Sequence, residues 1–359
     1  MSKAAELAKW GEVSTNGQVS GRRNIVINGA MNVAQRSASV TGIGATSGYY
    51  TIDRYQIIAG ATAGRFTMAQ VADVHDGFAN AMKLTCTTAD ASIAAGEYMG
   101  IHYRIEGQDL QQIKKGTSDA EKVTISFYVK GNASATYMLE VKDSDNTRLN
   151  QNQFAVTTDW TRIEITLNAD TTGAFTDDNG LSLELTFWLH GGSTYTSGTY
   201  TANTWAGQTN ANRLVGISSF FDSTDRTFFL TGLQMEVGSV ATPFEHRSYG
   251  EELALCQRYF LLPYGDTDNT NYALQGPVDA QVWWLIWHPV KMRVEPTQTV
   301  YGGSNKSQAG KALDATNTDY ETIQTTSFGH DGAYTLLLHS PGTANSNYSV
   351  QRIELDAEL

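Results

Sequence analysis

The sequence predicts an all-β protein: a jelly-roll β-sandwich, then a second, smaller β domain, with a short helical arm in front. Three observations carry this. Apolar residues recur at every second position through most of the chain, as in Val123, Ile125, Phe127 and Val129. Strands with one apolar and one polar face belong to antiparallel sheets covered on one side. Charged residues are 17% and glycines number 33, with Ser, Thr and Asn abundant, so surface polarity comes from hydroxyls and amides. All six prolines lie between Pro243 and Pro341, which marks a change of module near Arg247. The expected division is 1–22 as an arm, 23–247 as the jelly roll and 248–359 as the C-terminal domain.

In chain order, Ala4, Ala5, Leu7, Ala8 and Trp10 form a short helical candidate with Leu7 and Trp10 on one face. Gly11 ends it, and Ser14–Gly21 reads as a polar linker. A helix this short is marginal alone in water, so Leu7 and Trp10 are the candidate docking residues of the arm. The strand at Val123–Val129 follows. A second strand alternates Ile163, Ile165 and Leu167 with Arg162, Glu164 and Thr166. A third alternates Leu181, Leu183, Leu185, Phe187 and Leu189 with Ser182, Glu184, Thr186, Trp188 and His190, after the turn signal Asp177-Asp178-Asn179-Gly180. Glu251–Phe260 reads as a helix, with Leu253, Cys256, Gln257 and Phe260 on one face. Val282–Trp287 and Tyr334–His339 read as strands, and Ile353, Leu355, Ala357 and Leu359 as a closing strand that ties down the terminus. No heptad array, β-helix rung or collagen triplet interrupts this pattern.

Several functions are disfavoured by composition. A net charge of −12 argues against binding duplex DNA through its phosphates. No run of 18 apolar residues is present, so no membrane insertion is expected. The start, Met1-Ser2-Lys3-Ala4-Ala5-Glu6, lacks a signal-peptide core, so synthesis in a cytoplasm without signal-directed export is expected. Two cysteines, Cys86 and Cys256, give no disulfide framework, and Cys86 reads as a buried thiol. The seven histidines show no zinc spacing, and neither a nucleophile elbow nor a phosphate loop is present. No metal site is assigned. The Asp-rich turns Asp143–Asn146 and Asp266–Asn269 lack the Gly and distal Glu of an EF-hand loop.

Strand phase yields a candidate ligand platform. Trp188 shares its face with Glu184 and His190, and Tyr128 stands beside Thr124, Ser126 and Lys130. An aromatic ring among polar side chains can stack on the C–H face of a sugar while its neighbours bind hydroxyls. Tyr195, Tyr200 and Trp205, in a Thr- and Gly-rich stretch, extend the candidate set. The competing expectation is that the face packs against the second domain or another subunit.

Ordered blocks then add a resemblance. Arg23-Asn24-Ile25-Val26-Ile27-Asn28-Gly29-Ala30-Met31-Asn32-Val33-Ala34-Gln35-Arg36 is followed by Tyr49–Tyr55, which contains Asp53-Arg54. Further on come Tyr103–Leu110, Leu233–Gly238, Ala241–Arg247, Tyr249–Leu253 and Cys256–Tyr259. From residue 23 to about 260 the chain resembles the adhesion domain of tailed-phage tail fibre and tail-tip proteins, a carbohydrate-binding-like jelly roll. The resemblance implies a virion protein that touches the host surface. Joined to the aromatic faces and the missing signal core, it gives the expectation of a short tail fibre or tip protein, made in the cytoplasm of the bacterial host and attaching to a host cell-surface glycan without enzymatic activity. It also implies a homotrimer that meets other virion tail proteins through its arm. The alternatives are a decoration or connector protein without a ligand, and a glycan depolymerase, which the missing β-helix disfavours. Asp53 and Arg54 are read as structural anchors. No cofactor is required, although Glu236 and Glu245 could contribute to a structural calcium site, as carbohydrate-binding jelly rolls often have.

Overall fold

The computed structural model describes residues 22–263, 272–275, 282–302, 308–309, 311–314, 320–322, 325–328, 334–339, 347–350 and 352–359. The arm residues Leu7 and Trp10 and the turn Asp266–Asn269 lie outside them. The chain divides into two units, Met1–Ser248 with Leu359, and Tyr249–Glu358.

The first unit is an all-β sandwich of the jelly-roll kind, built from two antiparallel sheets. One has the order β1 (Ser39–Ile43), β4 (Arg65–Val71), β5 (Ala81–Thr88), β13 (Thr227–Val237), β7 (Val123–Gly131), β10 (Thr161–Leu167). The other runs β12 (Ala206–Gly207), β9 (Arg148–Val156), β8 (Ala135–Asp143), β11 (Leu181–Gly191), β6 (Tyr98–Glu106), β3 (Tyr55–Gly60), β2 (Gly48–Tyr49). The period-two sequence pattern reappears as burial: Ile125, Phe127 and Val129 face Leu185, Phe187 and Leu189 across the interior. Edge-to-face aromatic pairs lock the sheets together. Phe127 meets Phe187 at 5.0 Å and Phe154 at 5.3 Å, and Tyr137 meets Phe228 at 5.7 Å.

The blocks behind the family resemblance converge on one construction. The 23–36 segment lies along β13, with Ile25 N donating to Met235 O at 2.9 Å and Leu233 N to Gly29 O at 2.9 Å. Asn28, at φ +60°, closes the turn by donating to the carbonyls of Val33 and Asp53 and accepting from Val33 N. Gly29 follows because a Cβ there would lie 2.1 Å from Leu233 O. Asp53 and Arg54 are buried anchors. Asp53 accepts from Gln35 N, and Arg54 donates to Arg104 O at 2.7 Å with its guanidinium over the Tyr103 ring. Glu236 accepts from the backbone and hydroxyl of Thr242, and Glu245 from the backbone of Arg23 and Asn24. These contacts close the 233–247 segment onto the start of the sandwich. The turn at Asp143 is likewise bound internally, to Lys115 and Asn146.

In the second unit the helix runs Tyr249–Gln257. It ends earlier than the expected Phe260, which instead opens a short strand, Phe260–Leu261, paired with Arg352–Asp356. That closing strand also pairs with Thr297–Gly302, so the end of the chain is held in a sheet. Val282–Trp287 is a strand and pairs with Tyr334–His339. Both cysteines are free thiols and buried. Among the described residues no helix is long and apolar enough to cross a membrane.

Candidate functional site

The outer face of the seven-stranded sheet holds the site. Strand β11 is central there, between β8 and β6. The registers place Glu184 beside Lys142 and Arg104, Thr186 beside Glu140 and His102, and Trp188 beside Met138 and Gly100. Residues directly opposite in an antiparallel pair share a face, so this set forms one surface. Gly100 makes room for the indole, because a Cβ there would stand 3.0 Å from Trp188 Cε3.

The expected open platform is not open. The long connection after β11 folds back over the sheet, starting with the helical turn Ser193–Thr196. It lays Leu214 on Trp188 and Met138, and Trp188 is only 4% exposed. Arg213 holds the cover down. Its guanidinium stands 5.0 Å over the Trp188 ring and bonds Glu140 through two nitrogens, at 2.9 and 2.6 Å. Bidentate pairing of this kind fixes orientation as well as charge.

Beside this cover a cleft of about 260 Å³ remains. Its aromatic wall is Trp188, Tyr98 and Tyr195, with Tyr98 edge-on to both, at 6.0 and 5.7 Å. Its polar floor is Glu184, His102 and Lys142, with Arg213 and Ser47 at the margin. The Glu184 carboxylate accepts from His102 Nε2 at 2.5 Å, Lys142 Nζ at 2.8 Å and Ser144 Oγ at 2.6 Å. Burial alone would raise this carboxyl, but the His102, Lys142 and Ser144 contacts hold it well below the ordinary glutamate range. Glu184 is therefore an anion at neutral pH, fixed as an acceptor beside the Lys142 ammonium. Such a surface offers ring faces for apolar C–H groups and fixed donors and acceptors for hydroxyls.

Of the sequence candidates, Trp188, Glu184 and Tyr195 come together here. The others do not. Tyr128 lies on β7, in the other sheet, so it occupies the opposite outer face of the sandwich. There it packs against His75 at 4.3 Å and Phe78 at 5.4 Å. Strand phase tells which face of its own sheet a residue takes, but not which sheet it is in. His190 is fully buried because a β-bulge between Trp188 and His190 shifts the register. Opposite it is the core residue Met99, so the imidazole turns inward against Phe221, 5.1 Å away. Tyr200 anchors its loop, its hydroxyl accepting from Gln153 N at 3.0 Å. Trp205 caps the sandwich edge, its indole N–H donating to Asn168 O at 2.8 Å and its ring near the buried Lys115. Tyr98, His102, Lys142 and Arg213 belong to the cleft and were missed. The alternation Tyr98, Gly100, His102, Arg104 was a readable signal for two of them.

No protein-family model and no curated protein matches the sequence. Among solved structures, the chain is similar to the family 11 carbohydrate-binding module of a cellulosomal cellulase of Clostridium thermocellum. That pair shares 14% identity over 59% of this chain and 100% of the other, at a TM-score of 0.28. It is also similar to the xylan-binding domain of a Paenibacillus barcinonensis protein, at 13% identity over 62% and 100%, TM-score 0.30. A third is the enzymatically active domain of tailspike protein 4 of bacteriophage CBA120, at 11% identity over 60% of this chain and 21% of that one, TM-score 0.30. Likenesses this slight carry no argument, and the fold rests on the strand order described above.

Proposed function

We propose that the first unit is a non-catalytic glycan-binding module, and that the chain is a tail fibre or tail-tip protein that attaches a phage to its host surface as a homotrimer. The observation that carries the glycan reading is the cleft: three aromatic rings facing a floor of one fixed carboxylate and its hydrogen-bonding partners. The virion role is supported by the ordered motif blocks between residues 23 and 260. The absence of cutting is supported by the state of the cleft's acid, Glu184, and of Glu140, which holds the cleft residue Arg213. Glu184 is held ionised, and Glu140 is bound through both oxygens to Arg213, so neither is arranged as a proton donor to a leaving oxygen.

The test is binding of the purified chain to an array of bacterial lipopolysaccharides and capsular polysaccharides. Tyr195→Ala removes a half-buried ring from the wall and is expected to weaken binding by about 1–2 kcal/mol, the scale of one aromatic contact. No binding to any glycan, or equal binding by wild type and variant, refutes the site. Shortening of the polysaccharide on incubation replaces the adhesin reading with a depolymerase.

A further inference from the structure

We infer that Asp90, Glu97 and His190 form a binding site for one divalent transition-metal ion, with zinc as the natural probe. The three residues come from different places in the chain. Asp90 lies just after β5, Glu97 just before β6 and His190 near the end of β11, on the inward side of its bulge. All are buried, at 5, 4 and 0% exposure. One ligating atom from each lies within 4.8 Å of the other two.

Charge is the first argument. No lysine or arginine among the described residues forms an ion pair with Asp90 or Glu97; the one recorded partner is His190 itself. Two carboxylates this close in a dry interior need a proton or a cation between them. Geometry is the second. His190 Nε2 and Glu97 Oε2 are 3.2 Å apart. Two ligands at ~2.0–2.1 Å from a tetrahedral ion stand about 3.3 Å apart. The third is the outer support that metal-ligating groups need. His190 Nδ1 is 2.8 Å from Ser219 Oγ, which orients the ring with Nε2 toward Glu97. Asp90 is aimed by Ala63 N and Thr62 Oγ1 on one oxygen and Ser92 N on the other. Imidazole with carboxylates suits zinc and its neighbours in the first transition row.

Such an ion would add Asp90 to two segments that already touch, and Asp90 is itself tied to the segment that carries Ser219. Gly192 N donates to Glu97 O at 2.8 Å, Thr194 N to Ala95 O at 3.0 Å and Asp90 N to Phe221 O at 2.9 Å. Glu97 is followed by Tyr98, and the helical turn after β11 carries Tyr195. The site thus sits behind two walls of the cleft, and its role would be structural.

The experiment uses the full chain, stripped with a chelator and titrated with ZnCl₂ by calorimetry, with metal content measured after gel filtration. Expected are one tightly held zinc per chain and a melting temperature higher with zinc than with chelator. Cobalt(II) in its place should give the visible absorption of a four-coordinate ion, a readout that needs no variant. Glu97→Gln and His190→Gln should each lower zinc affinity at least tenfold, while His75→Gln, at an imidazole beside Tyr128 of the other sheet, should not. If zinc and cobalt leave the melting temperature and spectrum unchanged, the carboxylates share a proton and the inference falls. It falls equally if calcium alone binds, or if zinc uptake survives in both Glu97→Gln and His190→Gln.

Discussion

Trp188→Ala separates a buried wall from an open stacking platform before any ligand is known. In the structure the indole is 4% exposed and packs on Met138 and Leu214. It also meets Tyr98 edge-on at 6.0 Å and lies 5.0 Å beneath the Arg213 guanidinium. Truncating a buried Trp to Ala costs about 3–5 kcal/mol, because transferred area is lost and a cavity is left. For a unit of this size each kcal/mol moves the midpoint by about 2–4 °C, so the expected fall is about 6–20 °C. The cation–π contact with Arg213, worth ~0.5–2 kcal/mol, is part of that loss. Trp188→Phe keeps a ring on Met138 and should retain much of the stability. The assay is scanning calorimetry of the whole chain, following the transition that moves. An exposed aromatic costs under ~0.5 kcal/mol when removed. A shift below about 2 °C would therefore refute the cover formed by Leu214 and Arg213 and restore the open platform.

Three further outcomes follow from the same geometry. Lys115, whose ammonium meets Asp143 at 2.6 Å and Asp170 at 3.2 Å in the interior, should cost about 3–5 kcal/mol when changed to Met, read by urea unfolding. A loss under ~1 kcal/mol would show that the two acids find other partners. Gly29→Ala places a methyl 2.1 Å from Leu233 O, so it should lose about 3 kcal/mol, the top of the overpacking range; unchanged stability would contradict the 23–36 packing on β13. Glu184 has a depressed carboxyl, so its stabilisation is full above its ordinary value of 4.5 and is lost as pH falls from there toward its folded value. Urea unfolding of Glu184→Gln against wild type should therefore differ most at neutral pH and converge in acid; a gap independent of pH would sink that account.

How much was legible in the sequence depends on which physical rule each residue obeys. Alternation fixed the inward rows of β7 and β11, because a residue's side of a pleated strand is a local property. It failed at His190, where one extra residue in the ladder reversed the phase, and no propensity in Trp188-Leu189-His190 announces that bulge. It also failed for Tyr128, since sheet membership is decided by long-range pairing. The cover over Trp188 was hidden for the same reason. Its anchor, the Arg213–Glu140 pair, joins residues far apart in sequence.

The motif blocks show the converse. Asn24, Asn28, Gly29, Asp53, Arg54, Gln234, Glu236 and Glu245 are conspicuous in the sequence, yet they are tied to backbone and to one another. Asn24 Oδ1, for example, accepts from both Val26 N and Met235 N. A strained turn at φ +60° and a glycine with no room for a methyl restrict sequence tightly. Such restriction makes a fold recognisable without making it functional. The cleft residues are under no such backbone constraint. Tyr98, His102, Lys142 and Tyr195 lie outside the Asn28–Gly29 turn, and a change there alters what the wall and floor can hold. The fixed blocks therefore identify the scaffold. On the proposed reading the ligand is decided in the cleft, and Glu184 between His102 and Lys142 is the place to look for it.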